Sequence, residues 1–394
     1  MGRRPQRPYD LLYFHCEPLT VNCQLVTPMR VLMISKACIV GIYQKKLELI
    51  GKAGVDLLAL VPPSWKDERG ETRLERVYTD GYRLEVVPIS RNGDFHLHSY
   101  PTLGRCIREF RPDIVHIDEE PYNLSAWQAL FHARRVGAKS LFFSWQNILR
   151  NYPPPFSWGE RWTLNTIDYA LAGTQSAADV WRAKGYRGGM SVIAQFGTDP
   201  ALFHPVDRVD RPFTVGYFGR LVEEKGVQVL INALGRLSGD WRLLIVGGGT
   251  FAARLKAQAV PYVERITFRE QVPSVEMPSL YHQVDALVLP SLTRPNWKEQ
   301  FGRVLVEAMA SGVVVIGSDS GAIPDVIGDA GLVTPEGDVT ALANAISRVR
   351  DDASLRAELA SKGRARVLAH FTHDQVADAT VEIYRKMLKI RPGN

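Results

Sequence analysis

The fold is predicted from the stretch DALVLPSLTRPNWKEQFGRVLVEAMASGVVVIGS, residues 285–318. An apolar run ends at a proline, a polar loop follows, and an apolar, helix-like segment ends at Gly312 before a second apolar run. Glycine commonly ends a helix, and apolar runs separated by a helix are typical of parallel strands. The stretch therefore predicts a strand–loop–helix–strand unit, with the helix beginning near Gly302.

The same alternation of short apolar runs and helix-like segments extends along the chain from Met29. Residues 191–212 interrupt it with turn residues and prolines, which is typical of a connection between domains. The pattern predicts an α/β protein with two doubly wound, Rossmann-like domains whose strand ends face an interdomain cleft. The expected boundaries are an extension at 1–28, an N-terminal Rossmann-like domain at 29–205, a C-terminal Rossmann-like domain at 206–375, and a C-terminal helix and tail at 376–394.

Composition and charge exclude several classes of protein. Of the 394 residues, 45% are hydrophobic and 23% charged, which is ordinary for a globular chain and excludes fibrous or disordered classes. A net charge of +6, with basic and acidic residues interspersed, does not indicate nucleic-acid binding. The four cysteines form no CxxC pair, so a reducing, cytoplasmic location is expected. The extension lacks the apolar core of a signal peptide and is interpreted as a disordered tail or a non-native start.

The segment FGRLVEEKG, residues 218–226, directly follows an apolar run and is a candidate anion site. Gly219 allows a tight turn, and Arg220 and Lys225 place two cations at a strand end and a helix start. Helix N-termini favour anions through their free amides, so the segment suits a diphosphate. The alternative is that both cations pair with neighbouring surface carboxylates.

Two glutamates flank the start of the helix within residues 285–318. Glu299 precedes it, and Glu307 lies inside its apolar sequence, where a charged residue is unusual. Carboxylates accept several hydrogen bonds and so suit sugar hydroxyls. Between them, the backbone amides at the helix start are expected to hold phosphate. These amides belong to Phe301, Gly302 and Arg303.

In combination, FGRLVEEKG, VGGG and EQFGRVLVEAMASG resemble the family 4 retaining glycosyltransferases, whose two-domain fold is called GT-B. The resemblance extends from Met29 to about Leu388. It implies a nucleotide-sugar donor on the C-terminal domain and a last helix that returns to the N-terminal domain. The implied catalytic residues are Arg220 and Lys225 at the diphosphate and Glu299 at the sugar hydroxyls. The implied donor-binding residues are Gly219, Glu307 at the ribose, Gln300, Phe301, Gly302, Arg303, and Arg269 near the base.

The N-terminal domain resembles the family less closely. The resemblance implies that Gly41 and His116, the latter in HIDEEP, lie in the cleft. Asp118 or Glu119 takes the place of a second histidine that the family often carries. These carboxylates are expected either to hold donor or acceptor hydroxyls or to form a solvated acidic loop.

The resemblance predicts transfer of a hexose, with retention, from a nucleotide diphosphate sugar to a glycan or lipid-linked acceptor in polysaccharide biosynthesis. The leaving diphosphate is expected to accept the proton. No cofactor and no metal are expected, because the chain has no D-x-D run at a strand end and cations can stabilise the diphosphate. Two alternatives are a sugar-nucleotide epimerase of the same architecture and a dinucleotide-dependent oxidoreductase, since VGGGTFA fits GxGxxA.

Two surface features concern the acceptor. The aromatic stretch SWQNILRNYPPPFSW, residues 144–158, is the candidate acceptor site, and Trp297 is a second aromatic residue close to the donor motif. Core packing is the alternative for both. Basic residues in the N-terminal half suggest a peripheral membrane contact at the inner face of the membrane, with a solvated helix face as the alternative. These basic residues are Lys45, Lys46, Arg105, Arg108, Arg111, Arg134 and Arg135.

Overall fold

The computed structural model describes residues 28–67, 70–207, 210–273 and 276–389. Residues 1–27, and with them nearly all of the predicted extension, lie outside the described part.

The N-terminal half is built on a parallel sheet. Its strands are β1 (Arg30–Ile34), β2 (Asp56–Val61), β5 (Arg83–Val86), β6 (Ile114–Ile117), β7 (Lys139–Ser144), β8 (Tyr169–Ala172) and β9 (Gly189–Val192); β3 (Ser64–Asp67) and β4 (Gly70–Arg73) form an antiparallel hairpin beside it. Its helices are α1 (Lys45–Lys52), α2 (Leu103–Phe110), α3 (Leu124–Val136), α4 (Phe156–Thr166) and α5 (Gln175–Ala183), and two 3₁₀ turns, Ala37–Ile39 and Gly41–Gln44, precede α1. Among the described residues the sheet order is β5-β2-β1-β6-β7-β8-β9.

The C-terminal half repeats this architecture. Its strands are β10 (Thr214–Phe218), β11 (Arg242–Val246), β12 (Ile266–Arg269), β13 (Ala286–Leu289), β14 (Val314–Ser318) and β15 (Gly331–Thr334), in the order β12-β11-β10-β13-β14-β15. Its helices are α6 (Val227–Leu234), α7 (Ala252–Ala259), α8 (Met277–Tyr281), α9 (Arg303–Ala310), α10 (Ile323–Ile327), α11 (Val339–Asp351), α12 (Ala353–His370) and α13 (His373–Lys389). Two 3₁₀ turns are Glu223–Lys225 and Val260–Tyr262.

Apolar strands let each sheet be covered on both faces. In β1, Leu32 and Ile34 belong to the core beneath α2 and α3, whereas Val31 and Met33 belong to the core beneath α1. All four are at most 1% exposed. Continuous apolar runs of this kind are typical of parallel sheets with crossover helices. The predicted pair of Rossmann-like sheets is confirmed.

The last helix leaves the C-terminal half and packs on the N-terminal one, as predicted. Val381, Tyr384 and Met387 of α13 are buried in the same core as Leu47 and Ile50 of α1. The helix α13 therefore completes a core of the N-terminal half. The predicted domain boundary at residues 205/206 stays a prediction; the first sheet ends at Val192 and the second begins at Thr214.

A buried histidine lies where the two connections between the halves meet. The Thr198 amide donates to the Phe371 carbonyl at 2.8 Å, and the His373 amide donates to the Thr198 carbonyl at 3.3 Å. The His373 ring is 2% exposed, and neither ring nitrogen has a hydrogen-bond partner among the described residues. Burial lowers the pKa of His373 to about 4.

This pKa predicts a loss of stability in mild acid. The unfolded chain binds a proton on this ring near pH 6.5 and the folded chain does not, so stability falls as pH drops from about 6.5 toward 4. Between pH 7.5 and 5 we expect the unfolding free energy of wild type to fall by about 2 kcal/mol more than that of His373→Leu. Urea unfolding of both proteins at both pH values measures this difference. The same pH dependence in wild type and variant would contradict a buried, neutral ring.

Candidate functional site

The carboxyl ends of the two sheets meet at a cleft that side chains bridge directly. Asn147, in the loop after β7, donates from Nδ2 to the Glu299 carbonyl at 2.9 Å. Gln300 Nε2 donates to the Trp145 carbonyl at 3.4 Å. Arg303 donates to the Tyr43 hydroxyl. Open α/β sheets bind ligands at this edge, so the cleft is the candidate site.

Glu299 and Lys225 form an ion pair at the centre of the cleft. Lys225 Nζ lies 2.6 Å from Glu299 Oε2, and the same oxygen accepts from Ser291 Oγ at 2.8 Å. The side chains are 14% and 8% exposed, so the pair is poorly screened by solvent. The residue after Lys225 must be a glycine, because a Cβ on Gly226 would lie 1.8 Å from the Pro290 carbonyl oxygen.

Glu307 lies in α9, and both of its carboxylate oxygens have protein partners. Its Oε2 accepts from the Tyr281 hydroxyl at 2.6 Å, and its Oε1 lies 2.9 Å from Arg303 Nε. Burial and the Glu307 carboxylate raise the pKa of Tyr281, which keeps the phenol a donor. The Arg303 side chain is 42% exposed whereas Tyr281 is buried, so Arg303 is the more accessible of the two partners of Glu307.

A cavity of about 230 Å³, here called the C-terminal cavity, adjoins Glu307. Arg220 is exposed at its rim, and its carbonyl accepts from the Tyr217 hydroxyl at 2.7 Å. The start of α9 also faces it: Gly302 has φ of +80° and no side chain caps the helix there. Free helix amides and an arginine favour an anion. The cavity is lined by Phe218, Gly219, Arg220, Val246, Gly247, Gly248, Gln271, Val272, Met277, Arg303, Val304 and Glu307.

The glycine loop of this cavity makes a steric prediction. Gly247 has φ of +143°, and a Cβ there would lie 1.9 Å from the Gly219 carbonyl oxygen, whereas a Cβ on Gly248 meets nothing within 4 Å. We expect Gly247→Ala to lower the unfolding free energy by about 1–3 kcal/mol because the backbone must shift. Gly248→Ala, the matched control, should unfold like wild type. Equal unfolding midpoints for the two variants would contradict this loop geometry.

Arg269 does not line this cavity, and its predicted place near the base stays a prediction. Its side chain is exposed, and its carbonyl accepts from the Gly247 amide at 3.0 Å. Gln271 and Val272, beyond the end of β12, line the cavity instead. Phe301 packs its ring 5.5 Å from Trp145 across the cleft, so its side chain serves the contact between the halves.

His116 is also not in the cleft. It lies in β6 and pairs in register with Met33, so its side chain points toward the α1 and α13 side of the sheet. The ring is 0% exposed, and its Nδ1 lies 2.6 Å from the Tyr384 hydroxyl. Burial and the nearby Lys46 ammonium lower the pKa of His116, which is therefore a neutral core residue. The prediction failed because the strand register was not known.

Asp118 and Glu119 are buried, so the solvated-loop alternative is wrong. Asp118 accepts from Ser35 Oγ and, at 2.8 Å, from Gln195 Nε2. Burial raises the pKa of Asp118, although Lys46 opposes this.

Glu119 forms an ion pair with Lys36, and its Oε2 lies 3.4 Å from His98 Nε2. Burial alone would raise the pKa of Glu119, but Lys36 and His98 hold it at about 2. The amide of Gly41 donates to the Glu75 carboxylate at 2.7 Å, and a Cβ on Gly41 would lie 2.3 Å from Val77. Gly41, which was predicted to lie in the cleft, therefore packs against other protein residues.

A second cavity lies between the halves and is here called the aromatic cavity. Its volume is about 230 Å³. Residues 146–152 supply much of one wall, and Trp297 stands opposite, with its ring 5.0 Å from Lys225 Nζ. The candidate acceptor stretch therefore reaches the cleft through its first part. The lining residues are Phe95, Tyr122, Gln146, Asn147, Ile148, Arg150, Tyr152, Asn296, Trp297, Lys298 and Gln300.

Five of the seven predicted basic residues are exposed, whereas Lys45 is half-buried and ion-paired with Glu48 and Lys46 is buried. Lys46 is 3% exposed and donates to the Gln195 carbonyl, so it is not a surface charge. The arginines on α2 and α3 are exposed: Arg105, Arg108, Arg111, Arg134 and Arg135. Within the part of the chain that the structure describes, none of the helices combines the length and apolar composition needed to cross a membrane.

Four site residues carried weak or no signal in the sequence. Ser291 follows Pro290 at the end of β13, and a polar residue at a strand end was a usable signal. Tyr43, Tyr281 and Asn147 reach the site from elements whose orientation the sequence pattern does not specify.

Comparisons with known proteins agree with this geometry. The glycosyl transferase 4-like domain matches residues 47–194, and the domain described as glycosyl transferases group 1 matches residues 200–366. The chain is 29% identical over 349 residues to phosphatidyl-myo-inositol mannosyltransferase of Mycolicibacterium smegmatis, covering 81% of this chain and 83% of that protein. It is 28% identical over 249 residues to the lipopolysaccharide core biosynthesis mannosyltransferase LpcC of Rhizobium leguminosarum, covering 58% and 67%. For another relative, alpha-maltose-1-phosphate synthase of Mycolicibacterium smegmatis, the match spans only 51% of its length.

Solved structures share the fold. Sucrose-phosphate synthase from Thermosynechococcus elongatus superimposes with a TM-score of 0.70 at 19% identity, covering 92% of this chain and all of that one (100%). Anabaena HepE in complex with UDP gives 0.67 at 18% identity, covering 91% and 100%. The GT-B architecture is therefore confirmed. The chain therefore carries a glycosyl transferase 4-like domain at residues 47–194 and a glycosyl transferases group 1 domain at residues 200–366, one on each side of the cleft.

Proposed function

We propose that the protein transfers a hexose, with retention and without a metal, from a nucleotide diphosphate sugar to a glycan or lipid-linked acceptor. The observation that carries the proposal is the buried Lys225–Glu299 pair, held by Ser291 beside the aromatic cavity. It provides a cation for a diphosphate and a carboxylate for sugar hydroxyls at one point.

The donor is assigned along the C-terminal half. The nucleoside occupies the C-terminal cavity, with the ribose on Glu307 after Arg303 moves aside. Arg220, Lys225 and the free amides at the start of α9 neutralise the diphosphate. Glu299 then receives the sugar hydroxyls. Solved relatives of similar fold are complexes with UDP or UDP-glucose, which supports a nucleotide at this position here.

The residues at the diphosphate suit a same-face transfer. The bond between the sugar anomeric carbon and the diphosphate oxygen breaks, and the acceptor oxygen bonds to that carbon on the same face. The acceptor proton passes to the departing diphosphate oxygen. Arg220 and Lys225 stabilise the negative charge that grows on the diphosphate, which is the largest contribution expected of the protein. These two cations support the proposed independence from metal.

Thermal shift with EDTA tests donor binding. We expect one of UDP-, GDP-, ADP- and dTDP-sugars to raise the melting temperature selectively, and Glu307→Ala to abolish the shift. Glu264→Ala, an exposed carboxylate before β12, is the matched control and should keep it. Stabilisation by none of them would contradict the proposal. Conversion of the donor to an epimer without transfer would favour a sugar-nucleotide epimerase.

We also propose that the outer face of the N-terminal half contacts an anionic membrane. Arg105 and Arg108 are exposed one turn apart on α2, which packs on α3. On the adjacent α4, Trp158 and Trp162 lie one turn apart and are 69% and 37% exposed; Phe131 of α3 is 47% exposed. Cations beside exposed aromatic rings are typical of proteins bound at the lipid interface. This face would hold the protein near a lipid-linked acceptor.

Vesicle sedimentation at low salt tests the contact. We expect binding to vesicles rich in phosphatidylserine and not to neutral ones, with loss in the Arg105→Gln/Arg108→Gln/Arg111→Gln variant. The control variant removes the same charge from the C-terminal half, at Arg236, Arg254 and Lys256. Equal loss in both variants would show a nonspecific charge effect and contradict the assigned face.

A further inference from the structure

The aromatic cavity carries positive charge that is not assigned to binding of the donor. Arg150 and Lys298 line it, and none of its described lining residues is acidic. Neither cation has a salt-bridge partner among the described residues, and both side chains are exposed. Arg150 uses one nitrogen to donate to the Asn296 carbonyl, which orients its guanidinium and leaves other N–H groups for a ligand.

The walls of the cavity suit a sugar ring. Tyr122 and Tyr152 lie with ring centroids 4.5 Å apart, and Phe95 lies 6.3 Å from Tyr122. Trp297 belongs to the wall contributed by the C-terminal half. Aromatic faces combine apolar area with shape and pack well against flat, partly apolar ligands such as sugar rings.

A buried polar atom in the lining lacks a partner. Gln146 is 6% exposed and donates from Nε2 to the Ile148 carbonyl at 3.0 Å, but its Oε1 has no hydrogen-bond partner among the described residues. Because buried polar groups are nearly always paired, an unpaired oxygen in a cavity lining indicates a position for a ligand donor such as a hydroxyl.

The position of the cavity points to the acceptor rather than the donor. Asn147 lines it and donates to the Glu299 carbonyl, and Trp297 contacts Lys225, so the cavity begins where the transferred sugar is assigned. The diphosphate is already assigned to Arg220 and Lys225, and Arg220 lines the C-terminal cavity rather than this one. Arg150 belongs to the N-terminal half, where the acceptor is expected.

We infer that the aromatic cavity binds an acceptor whose sugar ring carries an anionic group, a carboxylate or a phosphate; this rests on the proposed glycosyl transfer. The ring packs against Tyr122, Tyr152 and Trp297, a hydroxyl donates to Gln146 Oε1, and the anion lies between Arg150 and Lys298. Charge-assisted hydrogen bonds to two cations provide the selectivity over neutral sugars.

Calorimetry on the full chain, saturated with whichever nucleoside diphosphate it binds, tests the inference. The probes are methyl glucoside, methyl glucuronide and glucose 6-phosphate, which separate a carboxylate from a phosphate as the recognised anion. We expect at least one anionic probe to bind about tenfold more tightly than methyl glucoside. The Arg150→Gln/Lys298→Gln variant should bind all three alike, whereas the Arg161→Gln/Arg187→Gln control, exposed outside the cavity, should keep the preference.

The outcomes separate this inference from the proposed function. Failure to bind any nucleoside diphosphate would contradict glycosyl transfer itself. If the nucleotide binds but the wild type shows no anionic preference, or binds none of the probes, only the acceptor class is wrong. A preference that survives in the double variant overturns the roles of Arg150 and Lys298. Loss of nucleotide affinity in the double variant would assign these cations to the donor and overturn the inference as well.

Discussion

Arg220→Ala should lower kcat by about 10²–10³-fold while leaving the unfolding free energy within about 0.5 kcal/mol of wild type. The Arg220 side chain is exposed at the rim of the C-terminal cavity. Its backbone carbonyl, which accepts from Tyr217, is kept in the variant. The side chain thus has little to contribute to folding, and its role is to meet the charge on the departing diphosphate.

The kinetic pattern distinguishes this role from general electrostatic attraction. A cation that acts on the leaving group lowers kcat and kcat/KM together, whereas one that only attracts the donor raises KM. Arg220→Lys should recover part of kcat, because it restores charge without the planar fork of donors. The control Arg236→Ala removes an exposed arginine of the same half and should keep full activity. A kcat for Arg220→Ala within threefold of wild type would refute the assigned role.

Lys225→Met is expected to combine a loss of activity with a loss of stability. Activity should fall by about 10²–10³-fold, because a second diphosphate cation is removed. The unfolding free energy should fall by about 3 kcal/mol, because the buried Glu299 carboxylate keeps only Ser291 as a side-chain partner. Urea unfolding and steady-state kinetics on the same preparation measure both effects.

A double variant separates the two effects. In Lys225→Met/Glu299→Gln the unpaired charge is removed, so much of the lost stability should return. Activity should not return, because neither the cation nor the carboxylate is present. Recovery of activity together with stability would mean that the pair is structural and would contradict the donor site. Arg294→Met removes an exposed arginine paired with Glu223 and is the control for loss of a surface ion pair.

The architecture and the C-terminal half of the site could be predicted from sequence because local patterns specify them. Apolar runs alternating with helices predict parallel sheets, and ligands bind at the carboxyl ends of such strands. Arg220, Lys225 and Glu299 each lie between a strand and the helix that follows it, so the topology alone brings them to one edge. Glu307 was recognisable as a charge within an apolar helix.

The N-terminal half of the site was harder to predict, because strand register and the paths of the loops determine which side chains reach the cleft. His116 was assigned to the cleft from its motif, but its position in β6 turns it toward Tyr384 of the distant last helix. For Asp118 and Glu119 the sequence left a hydroxyl-binding role and a solvated acidic loop open, and the structure pairs them with Gln195 and Lys36, which are far away in sequence. Beyond β12 the chain carries Gln271 and Val272 into the C-terminal cavity.

The most direct test of the account follows the anomeric configuration of the released sugar. EDTA-treated enzyme is given an α-configured nucleotide sugar that it binds, and proton NMR records the first sugar formed by transfer to water. Same-face transfer predicts the α-anomer, at a rate that EDTA leaves unchanged and Arg220→Ala reduces. Formation of the β-anomer first, or a reaction that starts only after a divalent metal is added, would contradict same-face transfer supported by protein cations.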